Sequence, residues 1–135
     1  MNEMAMLEPG IKGSQEETVT EDKLATNVGS GKVRVYATPR MIALIEKTAA
    51  LSVENRLEVG QSSVGTLVSV SHCAATPLGM RVHAETELVE IDRRRLVFSV
   101  KAYDECGLIG EGRHERFIID IDRFQDKTDS KLKQE

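Results

Sequence analysis

The chain has 135 residues, of which 40% are hydrophobic and 30% are charged, and its formal net charge is −4. This length suits a single domain with one core, and the acidic balance argues against a nucleic-acid partner. The two cysteines lack metal-ligand spacing, so we expect no metal site. The sequence shows no signal peptide and no apolar run of membrane-spanning length. We therefore predict a cytoplasmic protein with reduced thiols and no membrane partner.

The first part of the chain gives weak signals. Residues 1–13 show no sustained hydrophobic period and are predicted to be a flexible N-terminal segment. A short strand is predicted from about Gln15 to Val19. Thr20, followed by two acidic residues, has the character of a helix N-cap, and the glycine-containing segment 28–31 ends that element.

A stronger helix signal begins at Thr38 and Pro39, because a capping hydroxyl followed by proline is typical of a helix N-terminus. From there to about Asn55, apolar residues recur at helical spacing over a wider surface than a solvent-facing helix needs. We therefore predict a helix enclosed by other elements. Glu46 falls in line with the apolar residues Ile42, Ala49, Ala50 and Val53. A buried carboxylate needs partners or a raised pKa; the alternative is that the apolar face is misplaced by one residue and Glu46 is solvated.

Four segments of alternating polarity follow Gly60, and they predict strands over 63–73, 80–88, 95–103 and 108–121. The basic run 93–95 falls in a turn between two of them and is predicted to be solvated. A long helix followed by four such strands predicts one α+β domain over residues 14–121, in which an antiparallel sheet curls around the helix. The charged segment 122–135 is predicted to be solvated and poorly ordered.

Two strands carry polar residues on faces that we expect to point inward. His72 ends a predicted inward set whose other members are Val64, Thr66, Val68 and Val70. Such a histidine is either a satisfied core residue or a functional one. On the last strand Gly110, Gly112, His114 and Arg116 share one face, and glycines within a strand mark a bulge or a close approach. The alternative for residues 114–116 is an exposed charged rung.

Three segments taken together resemble the hotdog-fold thioesterases, specifically the fluoroacetyl-CoA thioesterase-like branch. They are VYATPRMIALIEKTAA (35–50), LEVGQSSVGTLVSVSHCAATPLGMRV (57–82) and FSVKAYDECGLIGEGRHERFII (98–119). The resemblance covers about residues 8–121. The threonine, glutamate, histidine and arginine of that branch have counterparts here at the same spacings, namely Thr38, Glu46, His72 and Arg116.

The resemblance implies a hotdog fold and the hydrolysis of a short- or medium-chain acyl-CoA thioester. It implies that Thr38, Glu46 and His72 act together as catalytic residues and that Gly65 and Arg116 line the acyl pocket. His72 is suited to accept a proton near neutral pH. Thr38, Glu46 or a water molecule is the candidate nucleophile, and a backbone amide near Thr66 or at the start of the long helix is the candidate oxyanion donor. No cofactor is implied besides the coenzyme A of the substrate.

One segment departs from the branch. Its best-known member shields a small fluorinated acyl group with aromatic side chains before the long helix, whereas the matching residues here are Gly29 and Lys32. The acyl group is therefore left open.

Two other functions are compatible with such a fold. One is an acyl-CoA-binding protein without turnover, and the other is an enoyl-thioester hydratase, although the Asp/His pair of the hydratases has no match here. The resemblance also implies a homodimer or a higher homo-oligomer. An unpaired edge strand in a single curled sheet agrees with this expectation.

Overall fold

The computed structural model describes residues 6–133. Its centre is an antiparallel sheet in the order β1-β3-β4-β5-β2. The strands are β1 (Lys12–Thr18), β2 (Gln61–His72), β3 (Arg81–Asp92), β4 (Arg95–Asp104) and β5 (Gly107–Asp120). The helices are α1 (Ala25–Val28), α2 (Thr38–Glu54) and α3 (Ile121–Asp129), and short 3₁₀ turns cover Glu21–Lys23 and Ser130–Lys133.

The core lies between α2 and the inner face of the sheet. β3 and β4 contribute alternate buried residues, as their polarity pattern predicts, and two hairpins connect β3 to β4 and β4 to β5. The buried residues of α2 are Met41, Leu44, Ile45, Thr48, Ala49 and Val53. The predicted α+β architecture, an antiparallel sheet around one long helix, is confirmed. Across residues 6–133, no helix combines the length and the apolar composition that crossing a membrane requires.

The start of α2 differs from the prediction. Ala37 occupies the N-cap position, Thr38 is the first helical residue, and the cap makes no side-chain hydrogen bond. The prediction that Thr38 caps the helix is therefore wrong, and its hydroxyl is available for another contact. The predicted helix face is also displaced by one residue, since Ile42, Glu46 and Ala50 form the half-buried border of the buried stripe.

A β-bulge changes which residues of β2 point inward. Gly65 pairs with Arg116 and Leu67 pairs with Glu115, so Thr66 is an extra residue without a cross-strand partner. One inserted residue reverses the alternation. The prediction that Val64 and Thr66 share the inward face with His72 is therefore wrong. Gly65 lies on that face instead. The polarity pattern of one strand cannot reveal such an insertion, because a bulge exists only relative to the residues of the partner strand.

Both ends of the predicted domain need correction. β1 begins at Lys12, and the residues before it pair with β3, where the Gly10 amide donates to the Leu88 carbonyl at 2.7 Å. The segment predicted to be flexible over 1–13 is therefore paired with β3 from Gly10 onward, and residues 1–5 lie outside the described part. Thr20 donates a hydrogen bond to the Asp22 side chain and precedes a 3₁₀ turn rather than capping a long helix.

The C-terminal segment is solvated as predicted but is not irregular, because α3 and a 3₁₀ turn extend to Lys133. The Ile121 backbone amide donates to the Gly60 carbonyl and thereby fixes the start of α3, and the Gln125 side-chain amide donates to the Asp129 carboxylate one turn later. A tertiary anchor of this kind has no local sequence signal.

Two charged segments of the sheet differ in their exposure to solvent. His114, Glu115 and Arg116 are all buried, so the exposed charged rung considered for them is not formed. Arg93 and Arg94 of the basic run do occupy a turn, in which Arg93 adopts a left-handed conformation with φ of 58°, whereas Arg95 is the first residue of β4. Each of the three arginines pairs with a neighbouring carboxylate.

Candidate active site

Thr38 and His72 meet where the start of α2 approaches the end of β2. The Thr38 hydroxyl lies 2.7 Å from Nδ1 of His72, within hydrogen-bond distance. His72 is brought there because it is the last inward residue of β2, opposite Gly110 of β5. We call Thr38 and His72 the hydroxyl–imidazole pair.

The environment of His72 suits a proton acceptor. Burial lowers the pKa of its imidazole below the usual 6.5, so the ring is neutral at neutral pH. Its Nε2 atom is buried and finds no hydrogen-bond partner within residues 6–133. A neutral imidazole with one nitrogen on a hydroxyl can take up the proton of that hydroxyl.

The hydroxyl–imidazole pair opens into a cleft of about 360 Å³. The loop after α1 forms one wall and the segment after β2 forms another. Lys32 provides the one formal charge among the lining residues at neutral pH. Gly29 does not line the cleft; it ends α1 in a left-handed conformation. The lining residues are Ala25, Ser30, Gly31, Lys32, Val33, Val35, Tyr36, Thr38, His72, Cys73, Ala74 and Ala75.

A second group of polar residues lies further along the same helix and strand. Arg116 is buried and donates from Nε to the Ser63 hydroxyl at 2.7 Å, from Nη2 to the Ser63 carbonyl at 2.8 Å and from Nη1 to His114. The Glu46 carboxylate lies beside them. We call Glu46, Ser63, Gly65, His114 and Arg116 the Arg116 cluster.

Gly65 creates the space that this carboxylate occupies. A Cβ atom at position 65 would lie 2.7 Å from Oε2 of Glu46 and 3.5 Å from Nη1 of Arg116. No side chain fits there without displacing the carboxylate. The extra bulge residue, Thr66, is exposed and donates its hydroxyl to the Glu115 carbonyl at 3.2 Å.

The predicted site residues therefore fall into two groups. Thr38 and Glu46 are separated by about 12 Å along α2, at a rise of ~1.5 Å per residue. Within residues 6–133, no hydrogen bond joins Glu46 to either member of the hydroxyl–imidazole pair. The joint action of Thr38, Glu46 and His72 that the resemblance implies therefore has no direct contact of Glu46 with the other two residues inside one chain.

Sequence reasoning missed two contributors. Ser63 holds Arg116, and the Leu67 carbonyl accepts a hydrogen bond from the His114 ring. The bulge concealed both, because it places Ser63 on the inward face against the alternation expected from Val64. No group of three or more His, Cys, Asp or Glu side chains in the described range is arranged to hold a metal ion.

Comparison with known proteins assigns the family. The model of the fluoroacetyl-CoA-specific thioesterase family matches residues 19–122. The chain belongs to this family. It is 39% identical to the fluoroacetyl-CoA thioesterase of Streptantibioticus cattleyicolor over 97 residues, which cover 72% of this chain and 70% of that protein.

Solved structures agree with the family assignment. A fluoroacetyl-CoA thioesterase matches with a TM-score of 0.89 and 31% identity, over 93% of this chain and 98% of that one. A thioesterase superfamily member from Thermus thermophilus matches with a TM-score of 0.86 and 27% identity, over 96% and 98%. A hotdog-like protein from Thermanaerovibrio acidaminovorans matches with a TM-score of 0.82 and 22% identity, over 91% of each chain. The predicted hotdog fold is confirmed.

Proposed function

We propose that this protein hydrolyses a short- or medium-chain acyl-CoA thioester to the free acid and coenzyme A. The observation that carries the proposal is the hydroxyl–imidazole pair, in which 2.7 Å separates Thr38 from a half-buried His72 at the mouth of a cleft. Membership of a thioesterase family supports the same reaction.

The chemistry follows from the position of the pair. Attack on the thioester carbonyl needs a nucleophile that loses a proton, and His72 accepts that proton through Nδ1. The nucleophile is either the Thr38 oxygen or a water molecule that it holds. The pair lies at the N-terminus of the 17-residue α2, where the helix dipole stabilises the negative charge of a tetrahedral oxyanion. The C–S bond of the tetrahedral intermediate then breaks, and the proton passes from His72 to the departing thiolate of coenzyme A. If Thr38 is the nucleophile, a water molecule deprotonated by His72 then hydrolyses the acyl ester on Thr38 and releases the free acid.

We further propose that two copies of the chain complete each site. β2 is an edge strand of 12 residues, and positions 65–69 are all exposed, including Leu67 and Val68. A long edge strand with exposed apolar side chains is suited to pair with another strand. Antiparallel pairing of β2 with its two-fold copy would make a homodimer with one continuous sheet.

This pairing would join the two groups of site residues. Around an axis near Val68, the end of one β2 lies opposite the beginning of the other. His72 of one chain then approaches the partner's Gly65 and Glu46, since Gly65 and His72 share the inward face. Nε2 of His72 would donate to the partner's Glu46, which would stabilise the imidazolium formed during attack.

A thiol-release assay with purified protein tests the reaction. Acetyl-, fluoroacetyl-, butyryl- and longer acyl-CoAs are mixed with the enzyme, and the free thiol of coenzyme A is followed. We expect release with at least one short or medium acyl group. Tight binding without thiol release would instead indicate an acyl-CoA-binding protein, and hydration of an enoyl-CoA without release would indicate a hydratase.

Subunit mixing tests the shared site. His72→Ala and Glu46→Gln chains are each expected to be nearly inactive alone. After equal mixing, one of the two sites in each mixed dimer holds an intact His72 and an intact Glu46. Random exchange then restores about a quarter of wild-type activity. Sites confined to one chain would restore nothing. Light scattering that shows a monomer at micromolar concentration would overturn the dimer.

The wall that carries Lys32 contributes to the choice of acyl group, because it brings a positive charge into a cleft that is otherwise uncharged at neutral pH. The same panel of thioesters measured on Lys32→Ala shows which acyl groups this charge favours. A cytoplasmic location also agrees with Cys73 and Cys106, which are both free and exposed and remain reduced in that compartment.

A further inference from the structure

His114 is a buried titratable residue that the proposed reaction does not use. Its side chain is completely enclosed, and both ring nitrogens are bonded. Nδ1 lies 2.8 Å from the Leu67 carbonyl oxygen and Nε2 lies 3.2 Å from Nη1 of Arg116. The carbonyl only accepts and the guanidinium only donates, so Nδ1 carries the proton and Nε2 is the acceptor. The partners therefore select one neutral tautomer.

The first of these bonds fastens the bulge of β2. Leu67 is the residue at which pairing with β5 resumes after the unpaired Thr66. Nδ1 of His114, on the adjacent strand β5, donates to the Leu67 carbonyl. Because the bulge disrupts the regular ladder here, this side-chain donor takes the place of a backbone partner. The position of the bulge in turn fixes Gly65 next to Glu46.

The second bond fixes Arg116. Ser63 accepts from Nε and Nη2, so the remaining guanidinium nitrogen, Nη1, needs a third contact to be satisfied. Nε2 of His114 supplies that contact through Nη1. Three side chains meet around the Cβ position of Gly65. The distances from it are 2.7 Å to Oε2 of Glu46, 3.3 Å to Cε1 of His114 and 3.5 Å to Nη1 of Arg116.

We propose that His114 is a positioning residue for the Glu46 carboxylate, on which it acts through the positive charge of Arg116 on one side and through the β2 bulge on the other. The proposal rests on the thioesterase reaction described above. It assigns no contact between His114 and the substrate. A cationic ring cannot fill this role, because a proton on Nε2 would face the N–H group of Arg116.

Two isosteric variants separate the two bonds. In His114→Asn the side-chain amide can reproduce the donor at Nδ1 but not the acceptor at Nε2, and in His114→Gln the reverse holds. A displacement of about 1 Å in a site residue costs roughly 10²-fold in rate. We expect each variant to lower kcat by about tenfold or more while KM changes less than kcat, with the folded dimer retained in thermal melts and light scattering.

A double-mutant cycle with Arg116→Gln distinguishes positioning from general destabilisation. If His114 acts through Arg116, His114→Asn lowers kcat by less than about twofold in the Arg116→Gln background, because the two losses are not additive. Independent, additive losses would overturn the connection to Arg116. Wild-type kcat in both His114 variants would overturn the positioning role altogether.

Nitrogen NMR of the histidine ring tests the same proposal without turnover and remains informative if a variant fails to fold. We expect a ring protonated at Nδ1 in the wild-type protein at neutral pH, with Nε2 unprotonated. A ring protonated at Nε2 would overturn the proposed bonding. Absence of thiol release from every acyl-CoA in the wild-type protein would overturn the proposed function, and this result is separate from the NMR outcome.

Discussion

The two groups of site residues are built in opposite ways. The hydroxyl–imidazole pair has one hydrogen bond, an exposed Thr38 and a buried Nε2 without a partner within residues 6–133. In the Arg116 cluster, by contrast, Arg116 alone makes three hydrogen bonds, and His114 and Arg116 are buried. Sparse bonding leaves His72 able to exchange a proton. Dense bonding fixes the Arg116 guanidinium as a buried cation near Glu46.

This contrast indicates which substitutions affect chemistry alone and which also affect the fold. A residue with few contacts can be removed at little cost in stability, so its loss should appear mainly in turnover. A residue in a buried network should affect both. Substitutions in the two groups should therefore differ in how far turnover and Tm change together.

We expect His72→Ala to lower kcat by at least about 10² with little change in Tm, because the proton acceptor is lost and few contacts go with it. Steady-state kinetics and thermal melts measure the two effects. His83→Ala is the matched control, since His83 stacks on Tyr103, neither residue lines the cleft, and the variant should retain wild-type turnover. A His72→Ala protein that simply unfolds would make His72 a core residue instead.

We expect Glu46→Gln to lower kcat by about tenfold or more, since the shape is kept and the charge that stabilises an imidazolium is removed. Glu111→Gln, on the exposed side of β5, is the control. Full activity of Glu46→Gln would leave this carboxylate without a role. If Glu46 itself attacks the thioester, hydroxylamine should trap an acyl group on it, visible by mass spectrometry, and the loss should be larger.

Substitutions at Thr38 distinguish a structural role of its hydroxyl from a catalytic one. Because the structure gives it no capping bond, Thr38→Ala should lower turnover by about tenfold and stability by less than the ~0.5–2 kcal/mol typical of a lost cap. Thr38→Ser should retain most of the activity, since the hydroxyl is kept. Equal kinetics for all three proteins, measured by thiol release, would remove Thr38 from the reaction.

Gly65→Ala tests the Arg116 cluster by displacement rather than by removal. The added Cβ would lie 2.7 Å from Oε2 of Glu46, which is the far end of a flexible side chain. We expect the carboxylate to move and kcat to fall several-fold, by about 1 kcal/mol of barrier, while Tm changes little. A large drop in Tm would show that the carboxylate cannot move and that the backbone yields instead.

The smallest expected effect is the pH dependence. Burial lowers the pKa of both His72 and His114 below 6.5. The unfolded chain therefore takes up protons first as the pH falls below about 6.5, so stability should decrease over that range. In the Glu46→Gln protein, where no partner carboxylate raises the pKa of His72, the acid limb of kcat/KM should have its midpoint below 6.5, because His72 must be neutral to accept a proton. An acid limb above 6.5 in the pH–rate profile would contradict this assignment.

Much of the fold could be predicted from local pattern. The alternation in β3 and β4 and the apolar spacing of α2 reflect burial, which repeats with the geometry of each element. The presence of Thr38, Glu46, His72, Gly65 and Arg116 in one family pattern singled them out as site residues. The face of α2 was misplaced by one residue because Ile42 and Ala50, although apolar, lie on its half-buried border.

The sequence by itself determined the fold class, the identity of the candidate site residues and the choice of histidine as a proton acceptor. Only the tertiary structure decided that the Thr38 hydroxyl faces His72 instead of capping α2, and that a bulge at Thr66 turns Gly65 and Ser63 inward. It also decided that one chain keeps Glu46 away from His72. These features depend on contacts between residues distant in sequence, and a local period carries no information about the strand or helix that lies opposite.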